Sequence, residues 1–276
     1  NSVTAPWRAW AIIGAMAILL VRGTGDIGSA VAHALCLAGH SVVLHDDPRP
    51  PHPRRGMAFT DALFEGSARL ESLFAKRAAS LADLQPMLAC GRALPVADLA
   101  FDKTLRVVEP DVLVDARVRK HAAVDPIRGL APLVVGLGPG FVAGLNADRV
   151  VETGWGENLG RLLHAGAARD YGGEPRDLGG HGRERFVYAP AQGLFRTAHA
   201  IGAAVAEGEV VARIGTLAIR APFAGVLRGL THDGAQVAAG TKIVEVDARA
   251  DPRAVFGIGE RPRRIAQGVL EAIADR

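Results

Sequence analysis

Apolar positions recur along this chain with two different periods. Residues 17–22 form an apolar run ending in Arg22, and Gly23, Gly25 and Gly28 interrupt it. Ile27, Val31, Leu35 and Ala38 follow at helical spacing, and Gly39 supplies a stop. SVVLHDD is the next strand, and the stiff loop PRPPHPRR carries Arg49, Arg54 and Arg55. Thr60 is placed to cap a short helix through Phe64. Residues 67–100, rich in Ala and Leu, read as mostly helical. DVLVDAR and PLVVGLGPGF are two further buried strands. This alternation predicts an α/β fold, a Rossmann-like doubly wound parallel sheet, over residues 16–165. Residues 166–186 read as a linker.

A repeat follows. Ala189, Gly193, Gly202, Val205, Gly208 and Ile214 return as Ala221, Gly225, Gly234, Val237, Gly240 and Val246, all at one offset of 32. A constant, gapless offset predicts two copies of one β unit, a small quasi-symmetric sandwich over residues 187–248. The segment 253–276 reads as an amphipathic helix with Ile265, Val269, Leu270 and Ile273 on one face.

The glycine turn carries the first candidate chemistry. Gly23-x-Gly25-x-x-Gly28 leaves a strand and opens a helix, so its backbone N–H groups and the positive end of the helix dipole would face an anion. Asp26 lies inside the pattern. Asp46, 18 residues after Gly28, falls at the end of the next strand, where an acid would bond a ribose hydroxyl. Arg22 at the strand end favours a strongly anionic ligand, and Arg54 and Arg55 would add charge from the next loop. Gly136, Gly138 and Gly140 form a second glycine loop at a strand end. The predicted cofactor is a dinucleotide, either NAD(P) or molybdopterin dinucleotide.

Composition narrows the classes. The chain has 276 residues, 49% hydrophobic and 22% charged, which suits a folded protein with more than one domain. Net charge is +3, but no basic stripe is interleaved with aromatics, which argues against nucleic acid. Only Lys76, Lys103, Lys120 and Lys242 are lysines. Cys36 and Cys90 are too few for a disulfide framework or a zinc site, and the expected location is cytoplasmic. The apolar stretch WRAWAIIGAMAILLV is shorter than the ~20 residues of a membrane span. It runs straight into the glycine turn, so residues 1–15 read as an upstream extension and no membrane contact is expected. HExxH, G-x-S-x-G, a Walker A lysine and a Cys/His cluster are all absent from the sequence, so no metal site and no catalytic residue is assigned.

The stretch APFAGVLRGLTHDGAQVAAGTKIVEVD resembles the second half of a biotinyl/lipoyl barrel-sandwich hybrid. RIGTLAIRAP stands where such domains present their modified lysine, so covalent biotin or lipoate is not expected.

VRGTGDIGSAVAHAL, RRGMAFTDALFEG, PDVLVDAR, PLVVGLGPGF, VVETGWGENLGR, APAQGLF, APFAGVLRGL and IAQGVLEAI together resemble the YqeB-type proteins of the selenium-dependent molybdenum hydroxylase system. The resemblance covers nearly everything from Met16 onward. It implies an accessory role in molybdenum hydroxylase maturation, with a nucleotide as small-molecule ligand and a molybdenum hydroxylase as partner. Self-association stays open. An NAD(P)-dependent oxidoreductase and a non-catalytic interaction scaffold are the alternatives, and the sequence does not decide whether the chain is an enzyme.

Overall fold

The computed structural model describes residues 16–118, 124–170 and 175–275. The expected upstream extension, residues 1–15, lies outside them. β1 (Ile18–Arg22) passes through the glycine turn into α1 (Asp26–Leu37) and β2 (Ser41–His45). A short α2 (Ala62–Glu65) precedes β3 (Ser67–Leu70) and β4 (Leu73–Arg77). Then come α3 (Leu81–Cys90), β5 (Leu94–Ala97), α4 (Phe101–Val108), β6 (Val112–Asp115) and β7 (Leu133–Leu137). β8 (Val142–Ala143), β9 (Arg149–Val151), β10 (Leu162–Leu163) and β11 (Gly166–Ala167) follow, with β8 and β11 paired apart from the main sheet.

The main sheet has nine strands in the order β10-β9-β7-β6-β1-β2-β5-β4-β3. Its centre is parallel, while β3 runs antiparallel to β4 and β10 antiparallel to β9. Side chains alternate across it as a pleated strand requires. Leu19 and Val21 of β1 join one core layer, and Ile18 and Leu20 join the layer on the other face.

The chain then builds β12 (Phe186–Tyr188), β13 (Gly193–Arg196), β14 (Ala204–Val205) and β15 (Val210–Ile214). β16 (Leu217–Arg220), β17 (Gly225–Leu230), β18 (Gln236–Val237) and β19 (Lys242–Asp247) complete the all-β part. They form two four-stranded antiparallel sheets, β12-β19-β17-β14 and β16-β15-β13-β18. The offset of 32 carries β12, β13, β14 and β15 onto β16, β17, β18 and β19, and so turns one sheet order into the other. Phe195, Leu227 and Val246 are buried between the sheets.

α5 (Glu260–Ala274) returns to the main sheet, where Ile265 and Val269 share a core layer with Val31 and Leu35 of α1. The approach is close enough to require glycine: a Cβ on Gly268 would lie 2.1 Å from the Gly160 carbonyl oxygen.

Three expectations are corrected here. The fold is not a Rossmann-like doubly wound parallel sheet followed by a barrel-sandwich hybrid module. The sheet is mixed, its last helix arrives after the β part, and that part is two separate antiparallel sheets. Nor are residues 67–100 mostly helical. β3 and β4 form a hairpin with Leu70 opposite Leu73, turned by Glu71 at φ +49°. Thr60 does not cap a helix side chain to backbone either; its hydroxyl donates to the Thr24 carbonyl at 2.8 Å.

Candidate functional site

The parallel strands bring Arg22, His45, Asp115 and Gly136 to one edge of the sheet, in register with one another. Gly23 turns the chain there at φ +106°, and its N–H donates to the His45 carbonyl at 2.7 Å. α1 begins at once, capped by Gly25 without a side-chain cap. The free N–H groups of such a helix end attract an acceptor.

Here the acceptors come from the chain itself. The Thr24 N–H and hydroxyl donate to Asp46 Oδ2 at 2.6 and 2.8 Å. The Asp26 N–H donates to His52 Nε2 at 3.1 Å. That bond needs an unprotonated Nε2, and burial holds the His52 pKa below its usual value. The ring also stands over Gly25, where a Cβ would meet it at 2.9 Å. Asp46 therefore braces the turn.

Arg54 faces the protein interior too. Its Nη1 donates to Asp26 Oδ2 at 3.0 Å, and its Nε donates to Glu245 Oε2 at 2.7 Å. Glu245 is fully buried, with Arg185 Nε 3.2 Å and Arg228 Nε 3.4 Å from Oε1. Burial alone would raise the Glu245 carboxyl. Arg54 above all, with Lys242 and Arg228, reverses this and holds it down at about 2. Asp26 is likewise held well below the carboxylate range, because Arg54 and His52 outweigh its burial. The Arg228 guanidinium is pushed down, first by burial and then by Arg54.

The remaining expected residues are also engaged. Arg55 donates to the Leu230 carbonyl at 2.7 Å and to Asp61. Arg22 pairs with Asp125 at 3.0 Å and Asp115 at 3.5 Å, and lies on the Phe101 ring. Arg117 binds the same two carboxylates. The second glycine loop is filled: added Cβ atoms on Gly136, Gly138 and Gly140 would meet Phe141, Thr153 and Val124 at 2.2, 2.3 and 2.9 Å.

Two adjoining cavities remain between the sheet edge and the β part. The smaller, about 760 Å³, is lined by Gly23, Gly25, Asp46 and His52. The larger, about 970 Å³, runs along β12 and the start of α5. Asp26, Arg54, Lys242 and Arg261 line both. Among the described residues, eight basic side chains line the larger cavity against the acids Asp26, Asp177 and Glu260. Glu245 and Asp247 are buried close by, each within 4 Å of Arg228.

The sequence reading missed Glu245, Arg185, Arg228 and Lys242. Glu245 carried a signal: an acid among Ile243, Val244 and Val246, all buried, is a charge inside a strand that reads as core. Among the described residues no group of three His, Cys, Asp or Glu side chains is placed to hold a metal ion, and no helix is long and apolar enough to cross a membrane.

Fold and site define an α/β protein whose carboxyl sheet edge is roofed by a β part over a basic cleft. Over 256 residues, 93% of its length, the chain is homologous to a protein of Escherichia coli (strain K12) described as "Uncharacterized protein YqeB", at 35% identity. The resemblance to YqeB-type proteins is borne out, and the chain spans about half, 47%, of that relative. No protein-family model matches the chain.

Among solved structures the chain is similar to the ectoine utilization protein EutE of Ruegeria pomeroyi, at 15% identity and a TM-score of 0.28, covering 85% of this chain and 86% of that one. A succinylglutamate desuccinylase from Silicibacter gives 17% identity and a TM-score of 0.25, with 85% of each chain covered. An aspartoacylase family protein of Mesorhizobium loti gives 11% and 0.26, with 84% of each covered.

The geometry of the turn corrects the expected class. A role in molybdenum hydroxylase maturation through a bound dinucleotide or phosphorylated cofactor needs an open phosphate cradle. At this turn Asp46 and His52 already take the Thr24 and Asp26 N–H groups. An NAD(P)-dependent oxidoreductase fails on the same ground, and the plain scaffold leaves the lined cleft without a role.

Proposed function

We propose that the protein binds a small, multiply charged organic anion in the cleft between the sheet edge and the β part. One observation carries this reading: among the described residues, eight basic side chains converge on the 970 Å³ cavity. Like charges held together in a partly desolvated space repel, and an anion that enters relieves the repulsion. Guanidinium groups suit carboxylates through paired, planar hydrogen bonds. A cavity of this size fits the range of small-molecule sites, about 300–1,000 Å³. We place the protein in the cytoplasm, a reading supported by Cys36 and Cys90 remaining as free thiols.

Calorimetric titration with citrate, succinate and a neutral triol tests the proposal. Saturable binding of the acids, weakened by salt and by Lys242→Gln, is the expected result. Binding of no acid in dilute buffer would overturn it.

A further inference from the structure

Among the described residues the strongly exposed aromatic side chains are Phe74, Tyr188 and Phe256. Two of them, Tyr188 and Phe256, line the 970 Å³ cavity. Exposed aromatic surface inside a polar cleft marks a binding surface rather than a failure of burial.

Phe256 is a built platform. Added Cβ atoms on Gly56 and Gly202 would come within 2.9 and 3.3 Å of its ring, so the ring lies against bare backbone. Yet the residue is 53% exposed. Tyr188 follows a register shift in β12, between Val187 and Tyr188, and is 41% exposed. Such irregularities re-aim a side chain out of a sheet's regular alternation.

The charge beside the platform is tied to it. Arg228 Nη1 donates to the Ala254 carbonyl at 2.5 Å, two residues before Phe256. Arg228 Nε has no hydrogen-bond partner, although its side chain is only 12% exposed. The nearest carboxylate oxygen, Glu245 Oε1, is 3.4 Å away and also serves Arg185. Arg228 lines the cavity, and its guanidinium charge favours a carboxylate there. Lys242 lines the same cavity and sits 4.2 Å from the Phe186 ring.

We infer that this cavity takes a planar aromatic acid with two or more carboxylates, its ring on Phe256 and Tyr188 and its negative groups toward Arg228 and Lys242. This deepens, and rests on, the anion-binding reading above.

The test is paired calorimetric titration with trimesate and tricarballylate, an aromatic and an aliphatic tricarboxylate, at neutral pH and equal ionic strength. Trimesate is expected to bind about tenfold tighter, the scale of a good aromatic pairing. Tyr188→Ala combined with Phe256→Ala is expected to erase that preference, and Phe74→Ala, outside the cavity, to keep it. Equal affinity for the two acids in the unsubstituted protein would overturn the aromatic inference and leave anion binding standing. So would a preference that survives the double substitution. Binding of neither acid would overturn both readings.

Discussion

Arg54 Nε lies 2.7 Å from Glu245 Oε2, across 191 residues of sequence. The same guanidinium reaches Asp26 at the start of α1. One side chain thus joins the glycine turn to the interior of the β part, and both acids count on it for charge balance. Removing one partner of a buried pair leaves the other charged and uncompensated, at a cost of about 3–5 kcal/mol. Glu245→Gln is expected to destabilise the protein on that scale, since Arg54, Arg185 and Arg228 each lose a counter-charge at once. Urea unfolding with two-state fitting measures it. A loss below about 1 kcal/mol, the scale of an exposed pair, would show that the latch is not structural.

The same latch sets the acid limit of the fold. Glu245 has an ordinary value of 4.5 and is held at about 2 in the folded protein. Its contribution is therefore complete above 4.5 and is lost as pH falls toward 2. Asp26 is depressed in the same sense, so it too loses its contribution on acidification. His52 is also depressed, chiefly by burial, and its share falls away as pH drops below its ordinary 6.5. The melting temperature should hold near neutrality, begin to decline below 6.5 and fall most steeply below 4.5. In Glu245→Gln the acid limb should flatten. An identical acid limb in that variant would mean that other carboxylates govern it.

The buried parallel strands were readable because both their faces are covered, which makes the apolar runs continuous. That held for β1, β6 and β7. The turn after β1 was equally plain from its glycines. The β3–β4 hairpin was hidden because Ala68 and Ala75 give no clear alternation, and Glu71 supplies a left-handed turn without glycine. In the site, local pattern located the helix end but not what occupies it. His52 reaches Asp26 from 26 residues away, and Glu245 reaches Arg54 from 191. Sequence spacing says little about which charges meet at such separations, so the latch that Arg54 makes to Glu245 and Asp26 went unread. The offset of 32 was legible as a repeat. That its copies exchange strands between two sheets became visible only from the pairing.

The two cysteines should differ sharply in reactivity. Burial pushes the Cys36 thiol up to about 11, while Cys90 is exposed at the end of α3. The thiolate is the reactive form, and at mildly alkaline pH Cys36 holds little of it. Iodoacetamide is expected to alkylate Cys90 alone in the folded protein and both residues in urea, as read by peptide mass spectrometry. Equal labelling of the two thiols in the folded protein would mean that α1 opens easily.

Two glycines of the turn separate a backbone requirement from a side-chain one. A Cβ on Gly28 would lie 1.9 Å from the Gly23 carbonyl oxygen, and no rotamer change relieves a clash with backbone. Gly28→Ala must therefore shift α1 against β1, at about 1–3 kcal/mol or more. A Cβ on Gly25 would instead meet the His52 ring at 2.9 Å, and Gly25 has an extended backbone that alanine adopts freely. Gly25→Ala needs only the ring to swing away, at the cost of the bond from the Asp26 N–H, about 1 kcal/mol. Urea unfolding of the two variants should thus rank Gly28→Ala as the more damaging. Heteronuclear NMR should show a shifted Asp26 amide in Gly25→Ala with the rest of α1 unmoved. The opposite ranking would mean that the His52 contact, and not the backbone crossing at Gly28, holds the turn in shape.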